Sequence, residues 1–202
     1  MKLYKSVLLM GLTTALIFNG FAAEKRKAVD VYKVTLDMKK GDTRSALKNA
    51  TPGAPAQKGQ WAKISGFYKS TPEWSDEVTM KFFVLCYDKN AKKTKSMEYK
   101  GPYTLLGGNV KYINVPSGKQ NRGEMFIHPS TIDRYGEIRE IRVELWYKGI
   151  LESFLMESIS KKNEKEIKNW WTQFPVREGE LVNKFRAPFV FDPDNSLDMI
   201  KE

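Results

Sequence analysis

Cysteine and histidine are nearly absent from this chain: each occurs once, as Cys86 and His128. A single cysteine closes no internal disulfide, so the fold has to be held by burial alone. A single imidazole leaves little for nucleophilic chemistry, because a Ser or Cys nucleophile needs a base, usually His, that a third group orients. His128 stands beside Pro129 at the end of an expected strand, and no Ser lies in a GxSxG setting. A zinc centre needs several His, Cys or carboxylates at set spacing, which one His and one Cys do not supply. No metal and no other cofactor is expected. Internal repeats, low-complexity tracts and nucleic-acid motifs are also missing, so nucleic acid is not an expected partner.

Long apolar runs are confined to the N-terminus. Lys2 and Lys5 precede an apolar stretch from Val7 to Phe18, and small residues follow at Gly20, Ala22 and Ala23. That layout reads as a secretory signal peptide over residues 1–23. The run ends at Glu24-Lys25-Arg26-Lys27, short of the roughly 20 apolar residues that a spanning helix needs. With no Cys at the cut, a lipoprotein signal is excluded. Gly20-Phe21 imitates a type IV prepilin junction, but here the apolar run precedes the junction rather than following it. The expectation is an exported protein, periplasmic or at the cell surface, with residues 24–202 forming one domain.

Charge is abundant and lopsided. Lys and Arg number 34 against 24 Asp and Glu, a formal net charge of +10, which favours anionic partners such as acidic glycans or lipid headgroups. The basic residues come in short clusters, Lys25 to Lys27, Lys92 to Lys95 and Lys161-Lys162, rather than along one periodic stripe. Solubility explains that spacing better than a dedicated polyanion site does.

Most of the rest reads as strands. Residues 29–38 alternate, with Tyr32, Val34, Leu36 and Met38 on one side and Val31, Lys33, Thr35 and Asp37 on the other, the period of a half-buried strand. Gly and Pro over residues 41–60 mark a loop. Trp61 to Tyr68 makes a second strand, Thr71-Pro72-Glu73 a turn, and Val78 to Tyr87 a central strand apolar on both faces, with Cys86 buried in it. Gly107-Gly108 reads as a two-residue hairpin joining segments 96–106 and 109–115. A short strand over 124–128 and one helical turn over 130–136 closed by Gly136 follow. Ile138 to Tyr147 and Ile150 to Ile159 form a hairpin through Lys148-Gly149, with Ile141, Val143, Leu145 and Tyr147 opposite Arg142, Glu144 and Trp146. Residues 160–171 read as a short amphipathic helix ahead of Pro175, and 181–191 as an extended segment. Together these predict a mainly β, two-sheet antiparallel Ig-like β-sandwich with one or two short helices near the C-terminus.

Candidate chemistry is sparse. Glu73, Asp76 and Glu77 cluster near Trp74, and Glu137, Glu140 and Glu144 line one hairpin, yet carboxylates in clusters are common on solvated sheet faces; a glycosidase would need two of them across a sugar. Asp192-Pro193-Asp194-Asn195-Ser196 lacks the Gly and terminal Glu of a calcium loop. No enzyme is expected. Aromatics, at 12%, are the remaining hint, because ring faces bind sugars and proteins alike. Trp146 falls on the polar side of its strand, and Trp170 and Trp171 cannot face one direction. These three are the candidate ligand-binding residues.

The run Arg142-Val143-Glu144-Leu145-Trp146-Tyr147-Lys148-Gly149, the Trp170-Trp171 pair, and Leu181-Val182-Asn183-Lys184 with Ala187-Pro188-Phe189 resemble small secreted proteins of gut mucin-degrading bacteria. These are similar to an Ig-like protein encoded beside type IV pilus-like assembly genes. The resemblance implies a periplasmic or cell-surface β-sandwich acting in or beside a pilus-like apparatus, as an accessory subunit, with no catalytic residue to carry over. Expected partners are envelope or pilus-like proteins, a second copy of the chain, or anionic glycans such as mucin sugars.

Overall fold

The computed structural model describes residues 27–40, 60–91, 101–159 and 167–187. The signal-peptide reading, the loop over 41–59 and the calcium-like run at 192–196 lie outside the described residues. The architecture is mainly β. Strands β1 (Val29–Lys40), β2 (Gln60–Tyr87), β3 (Tyr103–Ile127), β4 (Glu137–Tyr147), β5 (Ile150–Ser158), β6 (Val176–Arg177) and β7 (Leu181–Val182) are joined by short helices α1 (Pro129–Tyr135) and α2 (Trp170–Gln173), and a 3-10 turn covers Lys184–Arg186.

All seven strands belong to one open sheet in the order β5-β4-β2-β3-β6, with β1 on β2 and β7 on β3. Two very long strands organise it. The first part of β2 pairs with β1 and with the end of β3, while its second part, from Val78, pairs with β4 and with the start of β3. Between these arms the β2–β3 register slips around Tyr68, Ser70 and Trp74. Pro72 and Pro116 sit in this corner, where a missing ladder donor is tolerated, and the buried Ser70 and Ser75 hydroxyls meet at 3.1 Å. The expected turn at Thr71-Pro72-Glu73 is therefore a bend inside one strand.

The arms approach closely across the core. A Cβ on Gly66 would stand 3.0 Å from Met80 Sδ and from Val143 Cγ1, so only glycine lets the first arm lie so near the second. Ile64, Met80, Phe82, Ile127, Ile141 and Leu145 fill the space between and are fully buried. Each such side chain contributes about 1.5–3 kcal/mol by leaving water.

Gly107 and Gly108 make no hairpin. They pair with Phe83 and Phe82 in mid-strand, and neither has a positive φ. Their bare backbones instead admit neighbours: a Cβ on Gly108 would lie 2.6 Å from Met125 Cε and 2.8 Å from Leu181 Cβ. The expected strand over 124–128 is the end of the same β3. In β1 the register shifts between Val31 and Lys33. This bulge turns Tyr32 outward and places Val31 in the core with Val34, where strict alternation had set Val31 and Val34 on opposite faces.

Other expectations hold. The β4–β5 hairpin turns at Lys148 (φ 50) and Gly149 (φ 76), the two positive-φ positions of a tight hairpin turn. Helix α1 is closed by Gly136 at φ 88 and capped by His128, whose Nδ1 accepts from the Ser130 N–H at 3.1 Å. Cys86 is buried, and desolvation pushes its thiol pKa from 9.0 up to about 12. The helix expected over 160–171 is described only at its end, as α2, and residues 160–166 lie outside the described residues. Of the extended segment expected over 181–191, residues 181–187 hold two-residue β7 followed by the 3-10 turn, and residues 188–191 lie outside the described residues.

Candidate functional site

The sheet has an outer face where charge and aromatic rings gather. Strand alternation sends Val143 and Leu145 of β4 into the core and Arg142, Glu144 and Trp146 to the opposite face of the sheet. Cross-strand pairing then sets Thr79 opposite Trp146, Lys81 opposite Glu144 and Phe83 opposite Arg142 on one side, and Met156 opposite Arg142 and Phe154 opposite Glu144 on the other.

Glu144 ties this face together. One carboxylate oxygen accepts from Arg142 Nε at 2.8 Å and the other from the Trp146 indole N–H at 2.9 Å. The Arg142 guanidinium lies between two rings, 3.9 Å from the centre of Phe154 and 4.3 Å from that of Trp171. A desolvated cation between rings is worth about 2 kcal/mol, which explains how an arginine side chain only 5% exposed is kept there.

The three tryptophans proposed from sequence separate in the structure. Trp170 is 3% exposed and packs with Leu85 and Leu105, so it is a core residue and leaves the candidate site. Trp171 is half-buried, edge-on to Trp170 with ring centres 5.9 Å apart, and serves as one wall around Arg142. Trp146 is also half-buried but lines a groove of about 450 Å³ with Asp76, Glu77, Thr79, Lys81, Asn109 and Lys111. Lys148 and Gly149 of the hairpin turn stand at its rim. Lys81 Nζ lies 4.0 Å from the centre of the Trp146 ring.

Sequence reading missed most of these neighbours, since Lys81, Asn109 and Lys111 reach Trp146 only through the β2–β3 and β2–β4 registers. It also missed the outward apolar row of β5, whose signal was a run of Ile150, Leu151, Phe154 and Met156 at a hairpin arm. Five of the ten large apolar side chains that are exposed among the described residues fall on Ile150, Leu151, Phe154, Met156 and Ile159. Along its other side β5 meets the chain at the start of β1 through side chains: the Val31 N–H donates to Ser153 Oγ at 2.8 Å and the Ala28 N–H to Glu152 Oε2 at 3.1 Å.

Several carboxylates of the acidic clusters are engaged in pairs. Glu77 binds Lys111 at 3.3 Å, Glu137 meets Lys89 and Arg139, and Glu140 accepts from Ser158 Oγ at 3.0 Å. Among the described residues no three His, Cys, Asp or Glu side chains gather as a metal site would require. No described helix is long and apolar enough to cross a membrane.

A family model matches residues 22–194, and the chain belongs to that family. The match extends far beyond the C-terminal stretches that carried the sequence resemblance. Among solved structures, the crystal structure of a protein from Akkermansia muciniphila is similar, with a TM-score of 0.61 and 21% identity over 88% of this chain and 94% of that one. At that identity the likeness is one of fold. No curated protein matches.

Proposed function

We propose that the chain is an exported, non-catalytic structural or interaction module of a cell-surface or pilus-like assembly, an accessory subunit that docks through β5. The carrying observation is the concentration of exposed apolar side chains on this strand, which is hydrogen-bonded to β4 on one side only. Among the described residues its other edge carries no strand ladder, only side-chain bonds in which Ser153 and Glu152 accept from the Val31 and Ala28 N–H groups; a strand with such an edge and an apolar row is a template for a second strand. The close approach of the two arms at Gly66 supports reading the folded sheet as an Ig-like sandwich whose rim carries this edge. The signal-peptide layout supports export.

Native mass by size exclusion with light scattering tests the reading, for the mature protein alone and mixed with a cell-envelope extract. A defined oligomer or a co-eluting envelope protein is expected for the wild type and is lost in a Phe154→Glu, Met156→Glu variant that keeps its circular dichroism. A wild type that stays monomeric and ignores the extract, or a variant that still assembles, would reject docking through β5.

A further inference from the structure

The groove beside Trp146 has a chemistry of its own. Its cations are not equivalent. Lys111 is matched by Glu77 at 3.3 Å. Lys81 stands across the ladder from Glu144, but both oxygens of that carboxylate are already held, by Arg142 and by the Trp146 indole. Among the described residues Lys81 makes no ion pair, and its ammonium lies over the Trp146 ring. Lys148, exposed at the rim, likewise has no carboxylate partner among the described residues and lies 5.3 Å from the centre of the Tyr147 ring. Two ammonium groups with no ion pair among the described residues therefore flank a half-buried indole.

The remaining lining is polar and planar. Asn109 and Asp76 offer an amide and a carboxylate, and Thr79 a hydroxyl. Sugar hydroxyls both donate and accept, so amide and carboxylate side chains pair with them in twos, while the C–H face of a pyranose covers an indole. The groove's volume, about 450 Å³, falls within the roughly 300–1,000 Å³ of small-ligand sites. The tight turn at Lys148-Gly149 and the Glu144 hydrogen bond hold the rim and the indole in place before any ligand arrives, which lowers the ordering cost of binding.

From this arrangement we infer that the groove binds an acidic saccharide, with a sugar ring against Trp146 and its carboxylate or sulfate group at Lys81 and Lys148. This site is separate from the docking strand, and either stands if the other fails.

Titration of the mature protein with matched oligosaccharides, followed by the Trp146 indole N–H resonance and by calorimetry, tests the inference. The probes are a uronic-acid oligosaccharide, its sulfated counterpart, a neutral oligosaccharide of equal length, and inorganic sulfate. At least one acidic probe is expected to bind and shift the Trp146 signal, and the neutral one not. The preferred acidic probe tells which anion is read. Trp146→Ala should weaken binding about thirtyfold, as loss of a central aromatic contact does. Lys81→Gln and Lys148→Gln, which leave the indole in place, should each weaken it about two- to fivefold. Raising the salt should weaken binding further. Failure of both acidic probes, equal binding of the neutral one, or affinity unaffected by Trp146→Ala and Lys81→Gln would overturn the site. Inorganic sulfate binding as tightly as the sulfated sugar would reduce the groove to a bare anion contact and overturn it too.

Discussion

Replacing Glu124 by Ala should be among the most damaging single changes in the first arm. Glu124 is buried, its side chain 1% exposed, and it receives Lys63 Nζ at 2.7 Å, Arg122 Nε at 3.0 Å and Ser65 Oγ at 3.2 Å. Lys63 is itself only 6% exposed in its side chain. Truncation leaves that ammonium in a poorly solvated place without its carboxylate, a loss of about 3–5 kcal/mol. For a chain of this size each kcal/mol moves the melting temperature by about 2–4 °C, so Glu124→Ala should melt roughly 6–20 °C lower. The paired replacement Lys63→Met with Glu124→Leu removes both charges and should recover most of that loss, to within about 1 kcal/mol of the wild type, because apolar groups of similar volume can stand in for a buried ion pair. Urea denaturation of the wild type, Lys63→Met, Glu124→Leu and the double variant closes the cycle, with Glu124→Ala measured beside it. A Glu124→Ala midpoint within about 1 kcal/mol of the wild type would refute the reasoning, as would a double variant no better than the single one.

Three further outcomes follow from other parts of the sheet. Gly136→Ala places a Cβ against the Tyr87 carbonyl in a backbone at φ 88. It should cost about 2–4 kcal/mol, read by chemical denaturation. Cys86 should resist alkylation in the native protein and react on unfolding. Its thiol is raised by burial from 9.0 to about 12, so it adds no pH dependence below pH 9, and stability falls between pH 9 and 12 as the unfolded chain ionises first. A Cys86→Ala variant should flatten that alkaline slope. Arg142→Lys keeps the charge but loses the flat guanidinium between Phe154 and Trp171, and thermal melting should register a loss of about 1–2 kcal/mol.

Local pattern was enough for the elements whose determinants are local. The β4–β5 hairpin follows from alternation on both sides of Lys148-Gly149, and α1 from Pro129 and Gly136, all within a few residues. The long strands were illegible for a physical reason. Pro72 and Gly107-Gly108 carry the same local signal whether they end a strand or let it bend and admit a neighbour. The decision comes from partners far along the chain: β3 alongside the corner at Pro72, and Met125 and Leu181 against Gly108. The bulge at Tyr32 likewise shows in no propensity, only in the pairing with Tyr68 and Phe67. Of the candidate site, Trp146 was visible from its place on the polar side of β4. Lys81, Asn109 and Lys111 were not, because the register of three strands brings them to it. Trp170 and Trp171 were told apart only by packing, one against Leu85 and Leu105, the other against Arg142.

Amide hydrogen exchange on the isolated assembly, compared with the free mature chain, tests the docking strand most directly. In the free protein the β5 amides that point away from β4 should exchange quickly. In the assembly the same amides, between Leu151 and Ser158, should become protected while those facing β4 stay as they were. Unchanged exchange along β5 with protection gained on another surface would contradict docking through this strand.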